Sequence, residues 1–103
     1  MEAALKAIAE PRRRLILRLV WDAERSAGDI ASHFDVSRPA ISQHLTVLRT
    51  AGLVTERRDG RHIHYRVAPK GLTPLFDWLG HYRTFWDERF ENLERLLQET
   101  GDE

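Results

Sequence analysis

Residues 26–50 hold two short helical patterns separated by about three residues, and no other stretch narrows the possible folds as much. Ser26-Ala27-Gly28-Asp29 places an N-cap serine three residues before an acid, a weakened capping box. The helix that it opens carries Ile30, Ala31 and Phe34 and stops at Asp35-Val36. Ser37 then caps a second helix with Pro39 in its first turn, where the missing proline N–H would have no partner in any case. Ile41, Leu45 and Leu48 recur at i, i+4 and i+7, and Gly52 suits the left-handed position that ends such a helix. Helices over 26–34 and 37–50 joined by a tight turn form the outline of a helix-turn-helix.

The flanking segments complete the pattern. Leu5 and Ile8 lie on one side of a short helix over residues 4–9. Pro11 opens another that extends to about Asp22, with Leu15, Ile16, Leu19 and Val20 as its apolar face. Arg12, Arg13 and Arg14 fall in its first turn, where positive charge opposes the helix dipole, so something else must favour them, phosphate contact and partner acids being two candidates. After Gly52 the period changes to two. The runs 53–58 and 61–67 flank Asp59-Gly60, a strong hairpin signal, with Ile63, Tyr65 and Val67 on one face and His62, His64 and Arg66 on the other. Pro69-Lys70-Gly71 breaks the chain again. Residues 72–98 then read as one helix of about 40 Å, ending in a frayed tail over 100–103.

That helix carries a long apolar stripe. Leu75, Leu79, Tyr82, Trp86, Phe90, Leu93 and Leu97 recur at spacings of three or four, and Trp78, Phe85, Leu72, Phe76 and Leu96 widen it. A chain of 103 residues supports one domain and cannot cover so long a stripe by itself, which predicts a second copy as partner. The expected fold is mainly α with a small β-hairpin, a winged helix-turn-helix of order α-α-α-α-β-β-α. Residues 26–50 are its helix-turn-helix, 53–67 its wing and 72–98 the helix whose stripe calls for the second copy.

Composition adds exclusions. The longest apolar stretches are a few residues, so no membrane span is expected. Met1-Glu2-Ala3-Ala4-Leu5-Lys6 lacks a charged region followed by an apolar core, so no secretory signal is expected either, and a cytoplasmic, nucleoid-associated protein is. The absence of cysteine removes disulfides and thiolate metal sites. Sixteen basic residues balance sixteen acidic ones, but the neutral total is a cancellation. Residues 36–70 hold seven basic residues against two acidic, a net +5, and residues 71–103 hold three against eight, a net −5. A basic middle segment points toward nucleic acid.

Four strings extend the likeness beyond element order: residues 9–17 (Ala9-Glu10-Pro11-Arg12-Arg13-Arg14-Leu15-Ile16-Leu17), residues 37–45 (Ser37-Arg38-Pro39-Ala40-Ile41-Ser42-Gln43-His44-Leu45), residues 48–54 and the hairpin 58–65. Together they resemble the ArsR/SmtB family of bacterial transcriptional repressors over roughly residues 3–97. The resemblance implies a homodimer whose dimerisation helices are the first and last, residues 1–22 and 72–98, and a two-fold symmetric, double-stranded operator as partner. That places Leu5, Ile8, Leu75, Leu79, Tyr82, Trp86, Phe90, Leu93 and Leu97 at the dimer interface. The chain departs from the family's metal sensors. Their paired cysteines would fall near Ser26-Ala27-Gly28-Asp29, where there is no thiol, and the last helix has a single histidine, His81, and neither of their histidine patterns. No metal site and no cofactor are expected.

On the second helix of the motif, Pro39, Ser42, Gln43, Thr46 and Arg49 point away from Ile41, Leu45 and Leu48, with Arg38 at the edge near the N-terminus. Arg38, Pro39, Ser42 and Gln43 match the family's base-contacting slots. Arginine pairs bidentately with guanine and glutamine with adenine, while the proline supplies only apolar contact. Ser37 completes the start of this surface. The plain alternative is a solvated polar face, but residues 36–50 contain no acid. His44 falls at the core boundary and is read as packed. Arg57, Arg58 and Arg61 around the hairpin turn suit phosphate contact or a narrow minor groove, the alternative being a solvated hairpin.

Two alternatives stay open. A sensor of the same fold would use Asp77 with His81 (i, i+4 on the last helix), the strand pair His62 and His64, or an aromatic pocket of Trp78, Tyr82, Phe85, Trp86 and Phe90, with the small-molecule effector unknown. A winged helix can also serve as a protein-interaction module without DNA. An enzyme is not expected: the chain has no paired-carboxylate motif, no glycine-rich phosphate loop and no nucleophile–base pair.

Overall fold

The computed structural model describes residues 1–101; of the side chains of Thr84, Trp86, Thr100 and Gly101 nothing is stated below. The helices are α1 (Glu2–Ile8), α2 (Pro11–Leu19), α3 (Ala27–Ser32), α4 (Arg38–Thr50) and α5 (Pro69–Gly101). The strands are β1 (Arg25–Ser26), β2 (Val54–Asp59) and β3 (His62–Val67), in an antiparallel sheet of order β1-β3-β2. The result is the expected mainly helical winged helix-turn-helix, with one strand more than the sequence suggested.

Caps set the motif. The Ser26 hydroxyl accepts the Asp29 N–H at 3.1 Å, and the Ser37 hydroxyl accepts the Ala40 N–H at 3.3 Å. At the end of α4, Gly52 takes φ +78°, the Leu53 N–H donates to the Leu48 carbonyl at 2.9 Å, and the Gly52 N–H donates to Arg49 at 3.0 Å. Those two bonds are a Schellman cap. The core lies where α2, α3, α4, the sheet and the first turns of α5 converge. Ile16, Val20, Ile30, Ile41, Leu45, Leu48 and Leu53 are fully buried, joined by Tyr65, Val67, Leu72 and Leu75.

Several boundaries differ from expectation. Helix α2 ends at Leu19 rather than Asp22, because the Arg25 Nε–H donates to the Leu19 carbonyl at 2.7 Å and the chain turns toward β1. Helix α3 is shorter than 26–34, since residues 25–26 pair with Tyr65 and His64. Helix α5 is longer than 72–98. It begins at Pro69 and runs through Gly101, so Thr100 and Gly101 are helical, while 102–103 of the expected frayed tail lie outside the described residues.

The three arginines opening α2 find groups within the protomer, and Arg12 stands 3.6 Å from Glu10. Glu10 caps the helix by accepting the Arg13 N–H at 3.0 Å. Arg13 and Arg14 turn back and donate to the carbonyls of Ala7 (2.6 Å) and Ile8 (2.7 Å) at the end of α1. Cations there complement the negative end of the α1 dipole and satisfy its unpaired carbonyls.

In the hairpin, Asp59 opposes His62, so the central turn residues are Gly60 and Arg61. Gly60 has φ +61° and Arg61 has no positive φ, as in a type II′ turn, which places glycine first. No described helix is long and apolar enough to cross a membrane.

Candidate nucleic-acid interface

Helix α4 presents a polar face opposite its buried Ile41, Leu45 and Leu48. Ser37, Arg38, Pro39, Ser42, Gln43, Thr46 and Arg49 are all exposed, and no acid interrupts them. Local bonds already engage some of these groups. The Ser37 hydroxyl is the N-cap acceptor, and Thr46 donates its hydroxyl hydrogen to the Ser42 carbonyl at 2.9 Å. Arg49 pairs with Glu56 of β2 at 3.6 Å. Ser42 and Gln43 point outward. The Arg38 guanidinium folds over the start of α3, where a Cβ on Gly28 would come within 3.1 Å of it. His44 is half-buried and sits within electrostatic reach of Glu10, away from the exposed face.

The wing divides its arginines. Pairing of Val54 with Val67, Glu56 with Tyr65 and Arg58 with Ile63 puts Glu56 and Arg58 on the face that holds the core residues. Arg57 pairs with His64 and lies on the opposite face. Sequence reasoning had grouped Arg57, Arg58 and Arg61 by proximity to the turn; the alternation of a strand separates the first two. Arg57 meets Glu24 there, its Nε 3.2 Å from both carboxylate oxygens. That hydrogen bond holds the Glu24 carboxyl below its ordinary value, against an opposing push from desolvation. Among the described residues, no carboxylate lies within ion-pair distance of Arg38, Arg58 or Arg61.

The expected interface residues separate likewise. Leu75 is only 3% exposed and belongs to the protomer's own core. Leu5 and Ile8 are half-buried on α1. Leu79, Tyr82, Phe90, Leu93 and Leu97 are 47–64% exposed along α5, and the Trp86 side chain lies outside what is described. Beside them, Ile8, Leu17, Trp21, Leu72, Phe76 and Leu79 line an open groove of about 510 Å³ between the α1–α2 pair and α5. Trp21 and Phe76 meet edge-to-face there at 6.4 Å; sequence reasoning missed Trp21 because it lies beyond the periodic part of α2.

Among the described residues no three His, Asp or Glu side chains gather as a metal site. The His62 and His64 rings stand 6.3 Å apart. Trp78 and Tyr82 pack edge-to-face at 5.6 Å along α5.

Comparison with known proteins agrees with this architecture. Residues 10–56, from the cap of α2 to β2, match the bacterial regulatory protein, arsR family. The chain is 39% identical to the transcriptional repressor SdpR of Bacillus subtilis, over 77% of this chain and 88% of that protein. It is 35% identical to the HTH-type transcriptional regulator Rv2034 of Mycobacterium tuberculosis, over 99% of this chain and 92% of that one. A crystal structure of a possible transcriptional regulator for arsenical resistance superposes with a TM-score of 0.68 at 46% identity, covering 80% of this chain and 82% of the other. The chain belongs to the ArsR family of bacterial regulatory proteins, which are DNA-binding transcriptional regulators.

Proposed function

We propose that this regulator is a cytoplasmic, nucleoid-associated repressor that binds a two-fold symmetric operator as a homodimer. It has no metal response through the family's usual cysteine or Asp/His positions. The observation that carries the DNA part is the exposed, acid-free face of α4, presented by a capped helix-turn-helix. Arg38 and Gln43 read bases, Ser42 and Thr46 lie at the groove wall, and Pro39 offers only apolar contact. Arg58 and Arg61 meet the backbone or minor groove beside it. The repressor assignment draws on the named activity of relatives such as SdpR.

The second copy is supported by α5. Its 33 residues span about 50 Å, and beyond Leu75 the aliphatic positions of its stripe stay exposed in one protomer. A surface that apolar is characteristic of an interface rather than of a monomer. The acids of α5 then lie on the dimerisation element, away from the basic reading surface.

An electrophoretic shift with DNA from upstream of the chain's own gene tests the reading. Sequence-specific retardation should weaken about 10- to 100-fold on Arg38→Ala, the worth of a bidentate base contact. Binding that ignores both sequence and Arg38 would overturn the base-reading assignment, and no retardation at all would turn it toward a protein-interaction module.

A further inference from the structure

Glu24 stands just before β1, and Arg57 lies on β2, 33 residues later. In the sheet order β1-β3-β2 those two strands are not neighbours. The Glu24–Arg57 contact therefore spans the width of the sheet, with His64 and Arg66 of the middle strand close enough to act on the carboxylate. It is a forked contact: Nε reaches both carboxylate oxygens at 3.2 Å, and a terminal nitrogen also donates to Oε1. The other terminal nitrogen stands 3.9 Å from Asp59. Every nitrogen of this guanidinium faces a carboxylate, on the side of the wing turned away from the core.

We propose that Glu24 and Arg57 form a clasp that positions the wing, and that the wing's contact with the DNA backbone is carried by Arg58 and Arg61 rather than by Arg57. The proposal rests on the DNA-binding reading above. Strand β1 has two residues and pairs only with Tyr65 and His64, so the hairpin beyond them is two-stranded. Isolated two-stranded hairpins are marginal in water. A planar fork that ties the outer strand β2 to the chain entering β1 limits how far the hairpin can swing relative to α4. One exposed ion pair contributes little to global stability, so its effect belongs to the wing. A phosphate could recruit Arg57 only by displacing a carboxylate that already fills its fork.

Positioning and contact make opposite predictions for the salt dependence of operator binding. If Arg57 positions, Glu24→Gln and Arg57→Gln each weaken binding by about three- to fivefold with the log–log slope unchanged. The charge-reversed pair, Glu24→Arg with Arg57→Glu, restores it. Arg58→Gln instead flattens the dimer's slope by about two units, one phosphate per subunit. If Arg57→Gln flattens the slope in that way while Glu24→Gln tightens binding, or if the reversed pair stays weak, the proposal is overturned. Amide exchange of the free protein decides independently of DNA. Glu24→Gln should speed exchange of the β2 and β3 amides and leave α4 unchanged, and an unaltered hairpin would overturn the clasp. Failure of the unmodified protein to bind DNA would count against the function, with the exchange result still deciding the clasp.

Discussion

At the scale of single residues, two glycines mark close approaches, and one of them leaves no room for a side chain. A Cβ on Gly71 would stand 1.8 Å from the Gly52 carbonyl oxygen, so the first turn of α5 touches the cap of α4 backbone to backbone. Neither partner is a flexible side chain that can move aside. Gly71→Ala should therefore cost at least about 2–3 kcal/mol and lower the melting temperature by on the order of 10 °C, as calorimetry would show. Gly28 differs, because its close neighbour is the tip of Arg38. Gly28→Ala should leave the melting temperature within a few degrees while displacing the guanidinium and changing operator affinity. An unchanged affinity would place Arg38's working position elsewhere. Neither contact was legible in the sequence: Gly71 read only as a breaker, and Arg38's position over α3 is a tertiary fact.

At the scale of elements, the helix-turn-helix and the wing were legible because their signals are local. Ser26, Ser37, Gly52 and Gly60 each carry out the cap or turn that their type suggests. What failed depended on residues far away. Strand β1 exists only through pairing with β3, and nothing in Arg25-Ser26 marks a strand. Arg13 and Arg14 oppose the dipole of their own helix but serve that of its neighbour. Arg13→Ala should thus cost about 1.5–3 kcal/mol, the worth of a charged hydrogen bond, and read out as a loss of stability without loss of DNA selectivity. The split of Arg57 from Arg58 follows from strand alternation and was available in principle, but Glu24 as partner was not. Because the Glu24 carboxyl is held below its ordinary value, its contribution is complete above the unfolded value and disappears as pH falls through the folded one. Hairpin protection factors should be flat from about pH 6 to 8 and decline only below about pH 4. A decline already under way near pH 6 would show that the Glu24 carboxylate is not what holds the hairpin.

At the scale of the whole molecule, zero net charge conceals a division of labour. The +5 segment, residues 36–70, contains α4 and the wing, and the −5 segment, residues 71–103, contains nearly all of α5 together with Asp102 and Glu103. The apolar stripe of α5 was legible as a surplus, although Leu75 proved to belong to the protomer's core. Leu93→Asp, placed where the helix is exposed, should abolish dimerisation in sedimentation equilibrium while leaving the helix-turn-helix folded. A dimer that survived it would move the interface off the distal half of α5.

Dimeric binding through α4 and the wing is tested most directly by the salt dependence of operator affinity. Two copies, each neutralising about three or four phosphates, give a log–log slope of roughly −5 to −7. A slope near −2 would contradict both the assigned arginines and the second copy.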